Sequence, residues 1–493
     1  MVSDEYHEVV EPLEASLSAV AKKSFEPWSP NFVDGGDLLE HFQGRWRGKG
    51  GRASLENRTP LQLERDRILY SNGLRRQAEK YHVLYSGRKR IVRSYATHTM
   101  RCAQVTRAIT RGLNLNQDFA EAVALGSKVG ATPFIHAAKV ATDKWLREMI
   151  ENIDNECAGG NDQRDRDGFF DGDEKLPEPV WIRNLTSAST YSAVASLMPW
   201  AKGNDVDDAY SSGQQSYWTL CCNPLTVEAI PRQFQPETMF GIWRHSRKLS
   251  EHGTTFQHKI KMWEASDQLE LLGSAHATLE ARVVQLADDI TWAIENLEDA
   301  NTATVLNNEN AASLYATLAP ELDLREPAES LTKALNEDDA GALYTYFIQD
   351  FVTHSRPIVE RLETEAPGHV ARELVGADDP AAAIGLSGGA EQVLDGIIGF
   401  LDDEVFTEPR VRNRRHMLAE VSTQCLNLLY EGDPAALVKI TTERARVERW
   451  KKQVRQRANE LLKRDVYRAQ AAVTVFAGMA DQEIYDFVGI QAL

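Results

Sequence analysis

Apolar residues recur along this chain at intervals of three and four, the spacing that lines one face of a helix, while strand-like alternation is rare. Over 97–111 the positions His98, Cys102, Val105 and Ile109 fall on one such face, and Gly112 offers a stop. Asn116 supplies a cap for a second helix running through Ala124. Further on, Leu279, Val283, Leu286, Ile290 and Ile294 form a stripe on a helix over 279–297, and Asp288 emerges beside that stripe rather than on the opposite face. Pro434 precedes another long helical pattern that runs through Arg464. The chain therefore reads as all-α, mostly helical.

Composition narrows the classes without naming a function. A length of 493 residues allows about two to four domain-sized cores, but no long polar linker divides the chain, so one large helical body with insertions is expected. The formal charge of −18 and a mean hydropathy of −0.41 describe a chain whose overall field does not attract nucleic acid. Five cysteines, at 102, 157, 221, 222 and 425, form no CxxC pair, which predicts reduced thiols and a cytoplasmic setting. No apolar run reaches the roughly 18 residues of a membrane span, and the first residues are acidic rather than leader-like, so neither membrane nor secretion is expected.

Three stretches depart from the helical pattern or carry unusual charge. Residues 154–179 are rich in Gly, Asp, Glu and Pro and poor in aliphatics, which predicts a mobile acidic insertion. Its Asp165, Asp167, Asp171 and Asp173 do not follow the order of a calcium loop, and a solvated loop is the expectation. Residues 376–389 are rich in small side chains and read as a weakly ordered joint between helical parts. Two basic clusters stand out: Arg88, Lys89, Arg90 and Arg93, then Lys439, Arg444, Arg446, Arg449, Lys451, Lys452, Arg455 and Arg457. The second is either a solvated face laced with Glu443, Glu448 and Glu460, or a phosphate-binding or subunit-contacting face.

Several blocks, in order, resemble a single family. Arg58-Thr59-Pro60, Glu64-Arg65-Asp66-Arg67-Ile68 and Leu74-Arg75-Arg76 are similar to RTPFQRDRDRI and FRRL. Tyr95-Ala96-Thr97-His98 follows, then the run from Ala124 to His136, then Gly241-Ile242-Trp243-Arg244-His245-Ser246 beside GIxKHS. Residues 279–290 are similar to LEAQVVDLADEI, and Ala477-Gly478-Met479-Ala480-Asp481 to AGMTD. Together they resemble the HD-domain deoxynucleotide triphosphohydrolases, the dGTPase family. The resemblance implies an HD-type helical fold, with an extension over 1–45, a core over 46–310 that carries the insertion 154–179, and a helical region over 311–493 that completes the fold.

Carried over position by position, the resemblance is uneven. His98 and Asp288 stand at the first and last metal-ligand positions, and His136 at the catalytic histidine that ends a GHTPFGH-like run. Ser127 and Lys128 stand where the family has His-Asp, Ala131 replaces the first histidine of GHTPFGH, and Lys139 sits where an acidic partner of the catalytic histidine is common. A metal needs carboxylate or neutral imidazole ligands, so Lys128 exchanges a ligand for a fixed positive charge, expected to pair with Asp288 or to contact a phosphate itself. Asn296 replaces an aspartate of the substrate-facing set. The nucleotide-binding candidates are His82, Tyr95, Lys128, Trp292, Arg75 and Arg76. His245, His252 and His258, spaced seven and six apart, do not make a helical metal pair.

The expected function is that of a catalytically degenerate dGTPase-like protein that binds deoxynucleotides, or an active paralogue, as a sensor or regulatory subunit. No cofactor is expected; an active form would use magnesium or manganese. The resemblance implies a homo-oligomer, hexameric in the family, or a hetero-oligomer with the paralogue, and makes a part in antiphage defence conceivable. Two rivals stand beside it: an active dNTP triphosphohydrolase with an altered site, and an oligomer that binds single-stranded nucleic acid through 439–464.

Overall fold

A computed structural model of the chain describes residues 60–82, 84, 93–159, 210, 212–217, 219–220, 238, 241–242, 278–303, 305–306, 314, 340–376, 380–432 and 465–489. Thirteen α-helices are described within these residues, joined by short 3-10 turns and one π-turn, and the sole extended pairing among them is an isolated bridge between Tyr81 and Ser94. None of the described helices is long and apolar enough to cross a membrane. The acidic stretch 160–179, the clusters 88–90 and 439–457, and His245, His252 and His258 lie outside the described residues.

Helices α1 (Pro60–Leu69) and α2 (Asn72–Arg76) lead into the central pair α3 (Tyr95–Gly112) and α4 (Gln117–Gly126). Next come α5 (His136–Gly159), the short α6 (Ser212–Tyr217) and the long α7 (Leu279–Thr302). Helices α3, α4 and α7 pack mutually, α1 covers α4, and α8 (Ala340–Thr364) closes over α3 and α7. The C-terminal half adds α9 (Pro367–Val375), α10 (Gly388–Phe400), α11 (Pro409–Glu431), α12 (Asp465–Ala477) and α13 (Asp481–Val488), with α11 lying on α5, α12 and α13. One continuous core runs through both halves, from Ile109, Phe119 and Val123 through Ile290 and Ile294 to Phe347, Phe351, Ile397 and Leu426.

The helix starts follow local chemistry. Ser94, Asn116, Thr278 and Ser387 each sit in extended backbone and accept a bond from a first-turn amide, which satisfies a donor the helix itself leaves open. On α7 the expected stripe is buried at Leu279, Val283, Ile290 and Ile294, with Leu286 at its partly buried edge, and the helix runs to Thr302 because Leu297 and Ala300 extend the stripe.

Helix α3 ends at Gly112 as expected, but the left-handed residue that follows its end is Asn114, at φ 57°. Gly112 is also a point of close approach, where a Cβ would meet Val352 Cγ2 of α8 at 2.5 Å. One expectation changes: 376–389 is not weakly ordered where it is described. Gly376 ends α9 at φ 68°, Pro380–Ala383 forms a 3-10 turn with Ala381 and Ile384 buried, and Asp350 accepts bonds from the amide and hydroxyl of Ser387. Ser355 of α8 further ties the segment, its hydroxyl donating to Gly385 O and accepting from Gly385 N. The residues 154–159 of the expected insertion continue α5.

The contact at Gly112 predicts that Gly112→Ala, which would suit a solvent-facing helix position, destabilises the protein by about 1–3 kcal/mol through overpacking against Val352. Urea unfolding compared with the parent chain measures this, and an unchanged midpoint would show that α8 shifts without cost.

Candidate functional site

The site forms where α3, α7 and the turn after α4 meet. Asp288, Trp292 and Glu295 follow the i, i+4, i+7 rhythm and so share one face of α7, while His98 faces them from α3. His98 Nε2 lies 3.1 Å from Asp288 Oδ1, and His98 Nδ1 lies 2.6 Å from Glu295 Oε2. The second oxygen of Asp288 accepts from the Lys128 ammonium. Glu295 continues outward to Arg93 at 3.2 Å and Arg101 at 3.6 Å, and both arginines also pair with Glu298. The result is a line of alternating charge from Lys128 through Asp288, His98 and Glu295 to two guanidiniums, with Lys128, His98 and Glu295 buried.

Asp288 favours the charged forms of Lys128 and His98, and they favour its own. Burial alone would raise the Asp288 carboxyl and lower the Lys128 amine, but their mutual charge reverses both, holding Asp288 well below the carboxylate range and Lys128 above the usual lysine value. Burial opposes protonation of His98 too, yet the bonds to Asp288 and Glu295 raise it. The expected Lys128–Asp288 pairing is thus present. Ser127 is buried and donates its hydroxyl to Ala124 O at 3.1 Å, so it is turned to the backbone.

A second ring of side chains stands beside this line. Tyr95 stacks on His98 with centroids 5.1 Å apart, and burial pushes its hydroxyl up to about 12. The ring of His82 sits 6.0 Å from His98, 6.0 Å from Tyr95 and 5.8 Å from His136. Its Nε2 is buried and has no hydrogen-bond partner among the described residues. Burial, then the charges of His136 and His98, hold His82 well below the ordinary histidine value. The Trp292 indole donates to His136 Nε2 at 3.0 Å, which makes that nitrogen an acceptor and the ring a neutral imidazole. Close packing, followed by the positive charges of His98 and Lys139, lowers His136 in the same direction. Trp292 also packs on Phe406, with the Arg415 guanidinium 5.4 Å above that ring.

Of the sequence candidates, His82, Tyr95, His98, Lys128, His136, Asp288 and Trp292 converge here. Arg75 is exposed on α2, and Arg76 turns to the C-terminus, donating to Gly478 O and lying 3.5 Å from Glu483. Asn296 is buried and donates to Trp292 O, with its own oxygen unpartnered among the described residues. Glu295 was missed by the sequence reading, although its position seven residues after Asp288 on one helix was a usable signal. Phe406 and Arg415 gave none, because more than a hundred residues separate them from Trp292.

Lys80 and Asp481 were missed as well. The buried Lys80 ammonium donates to Ala131 O at 2.5 Å and Ala477 O at 2.7 Å. Asp481 accepts from the amides of Tyr81 and Phe134, each at 2.9 Å. Burial draws both groups toward neutrality, Lys80 down to about 7 and Asp481 up to about 7, against these bonds and their mutual attraction.

The donor set does not fit a divalent metal. His98 Nε2 and Asp288 Oδ1 bond each other, and an ammonium occupies the other carboxylate oxygen, where an ion would meet a like charge.

Fold and site together define an all-α protein whose centre is a buried histidine–carboxylate–lysine cluster. No family model matches the chain. Curated relatives do. A deoxyguanosinetriphosphate triphosphohydrolase-like protein of Caldanaerobacter subterraneus subsp. tengcongensis is 36% identical over 138 residues, covering 25% of this chain and 41% of the relative. One from Azorhizobium caulinodans is 26% identical over 358 residues, 72% of this chain and 75% of the relative. One from Desulfatibacillum aliphaticivorans is 45% identical over 93 residues, 19% and 25% of the two chains. The matched region thus spans about two-fifths of the first relative and three-quarters of the second. Over these segments the chain is similar to dGTPase-like proteins.

Removing the shared carboxylate tests the charge line. Asp288→Asn leaves the buried Lys128 without its counter-charge and is expected to cost about 2–3 kcal/mol, below the figure for a fully buried pair because the Asp288 side chain is 28% exposed. The cost depends on pH. The lowered Asp288 contributes stability above about pH 4, its unfolded value, and loses it as pH falls further, whereas the raised His98 contributes below about pH 6.5 and loses it as pH rises through its folded value. The gap between parent and variant is therefore expected to be widest between about pH 5 and 6.5 and to narrow in acid; a pH-independent gap in urea midpoints would contradict this electrostatic account.

Proposed function

We propose that this protein is a catalytically degenerate dGTPase-like protein that binds deoxynucleotides without hydrolysing them. The observation that carries this reading is the Lys128 ammonium bonded to Asp288 beside His98. In a working site of this class, a bound metal polarises phosphate and activates water, and His98 and Asp288 are its two surviving ligand positions. Here an ammonium holds the carboxylate. Such a cation can still attract a triphosphate, but it cannot acidify a water as a divalent ion does. His136 remains as a neutral acceptor, and Lys139 next to it disfavours the protonated form that would donate to a leaving group.

The same arrangement supports binding. Trp292 offers a partly buried ring, His82 an unpartnered nitrogen among the described residues, and Lys128 a fixed cation, the kinds of group that hold a base and its phosphates. A sensor or regulatory subunit, acting as a homo-oligomer or beside an active paralogue, is the role that such a body can fill, with nucleotide binding as its input.

The test is turnover of each of the four dNTPs with magnesium or manganese, with binding measured on the same sample. Binding of at least one dNTP with no release of tripolyphosphate is the expected result. Metal-dependent turnover that disappears in His98→Ala would overturn the degenerate reading in favour of an active enzyme with an altered site.

A further inference from the structure

The turn that delivers His136 has an unusual backbone. Phe134 and Ile135, the two residues before it, both lie in the left-handed region, at φ 53° and 48°. A side chain there crowds the following carbonyl at a cost of roughly 1–2 kcal/mol per residue, and β-branched isoleucine is among the least suited to it. Ile135 also stands at the second glycine of the GHTPFGH-like run, where a residue without Cβ would bear no such cost. Within the turn, Thr132 contributes a hydroxyl bond to Ile135 O at 2.9 Å. The turn's own backbone adds bonds from Ile135 N to Thr132 O at 3.2 Å and from Lys139 N to Ile135 O at 2.9 Å, and further restraint comes from elsewhere in the chain.

That restraint is the start of α13 together with the segment before α3. Asp481 Oδ1 accepts from Phe134 N and Oδ2 from Tyr81 N, both at 2.9 Å, so one carboxylate spans two distant strands of backbone. Lys80 grips the same turn at Ala131 O and ties it to Ala477 O, the last residue of α12. Phe134 packs its ring 5.3 Å from Tyr485 on α13. Asp481 is 8% exposed and Lys80 fully buried, so these bonds compete little with water.

We propose that Asp481, supported by Lys80, is a positioning residue for His136: it holds the left-handed Phe134–Ile135 pair and thereby directs the imidazole into the cleft beside Trp292 and His82. Asp481 closes the Ala-Gly-Met-Ala-Asp block, so that block is read as a latch on the site rather than as an independent structural cap. Without the carboxylate the two residues relax toward negative φ, and His136 swings off the Trp292 indole. The latch itself does not depend on what the cleft binds; only its consequence for affinity rests on the nucleotide reading given above.

The experiment compares the parent chain with Asp481→Asn, Ile135→Gly and the double variant. It reads hydrogen exchange of 128–138 against 279–302 and 340–364, the His136 ring signal in NMR, and dNTP affinity. Asp481→Asn is expected to speed exchange in 128–138 by about tenfold or more while the two reference helices keep their protection, and to shift the His136 signal. Because glycine takes the left-handed conformation freely, the local effect of Asp481→Asn is expected to be at least about fivefold smaller when Ile135 is already glycine. Uniform loosening of all three segments, or equal effects in both backgrounds, would overturn the proposal. If Asp481→Asn does not fold, Asp481→Glu, which displaces the charge by one methylene, decides the point by the same local-versus-uniform comparison. A parent chain that binds no dNTP would overturn the nucleotide reading alone, since exchange and the His136 signal judge the latch without ligand.

Discussion

A carboxylate partly buried among helices is best matched by positive charge, and in this protein the match at Asp288 organises everything near it. Lys128 takes one oxygen and His98 the other, so the turn after α4, the middle of α3 and the middle of α7 converge on a single side chain. An uncompensated charge in that position would be costly, whereas the three together are close to balanced once Glu295 is counted on the far side of His98. The arginines then carry the balance outward to Glu298 and Asp299. The apolar faces of α3, α4 and α7 bring these groups together; the charges decide how the faces meet.

The same arrangement accounts for the functional reading. In a metal site the cation is exchangeable and brings a bound water; in this one it is a side chain, fixed at neutral pH and unable to leave. On the proposed reading, a positive charge stands there without a metal-bound water to activate. Around it, Tyr95, His82, His136 and Trp292 form a wall of rings with one nitrogen, His82 Nε2, that no described residue satisfies. A site with a fixed cation, a partly buried indole and a nitrogen unpartnered among the described residues is suited to holding an anionic, ring-bearing ligand.

The helical periods, the caps at Asn116 and the stripe on α7 were all legible in the sequence, because each is a relation among residues within a few turns of one another. The convergence of His98, Lys128, Asp288 and His136 was legible only through resemblance to a family, since nothing in their spacing alone brings them together. Glu295 could have been found from the helix period. Local rules were incomplete where a tertiary neighbour intervened: Gly112 ends α3 as read but also serves the approach of α8, and 376–389, read as a loose joint, buries Ala381, Ala383, Ile384 and Leu386.

By itself the sequence determined that the chain is helical, and its resemblance to a family pointed to Lys128 at a ligand position and to the rings that were candidates to surround it. These follow from identity and short-range spacing. Only the tertiary structure decided that Lys128 is bonded to Asp288, that His98 is held between two carboxylates, and that Asp481, some 350 residues further along, braces the backbone before His136. The physical reason is that a hydrogen bond or an ion pair between distant segments depends on where packed helices place their ends, and that placement is set by the burial of whole apolar faces rather than by any pattern local to the residues that bond.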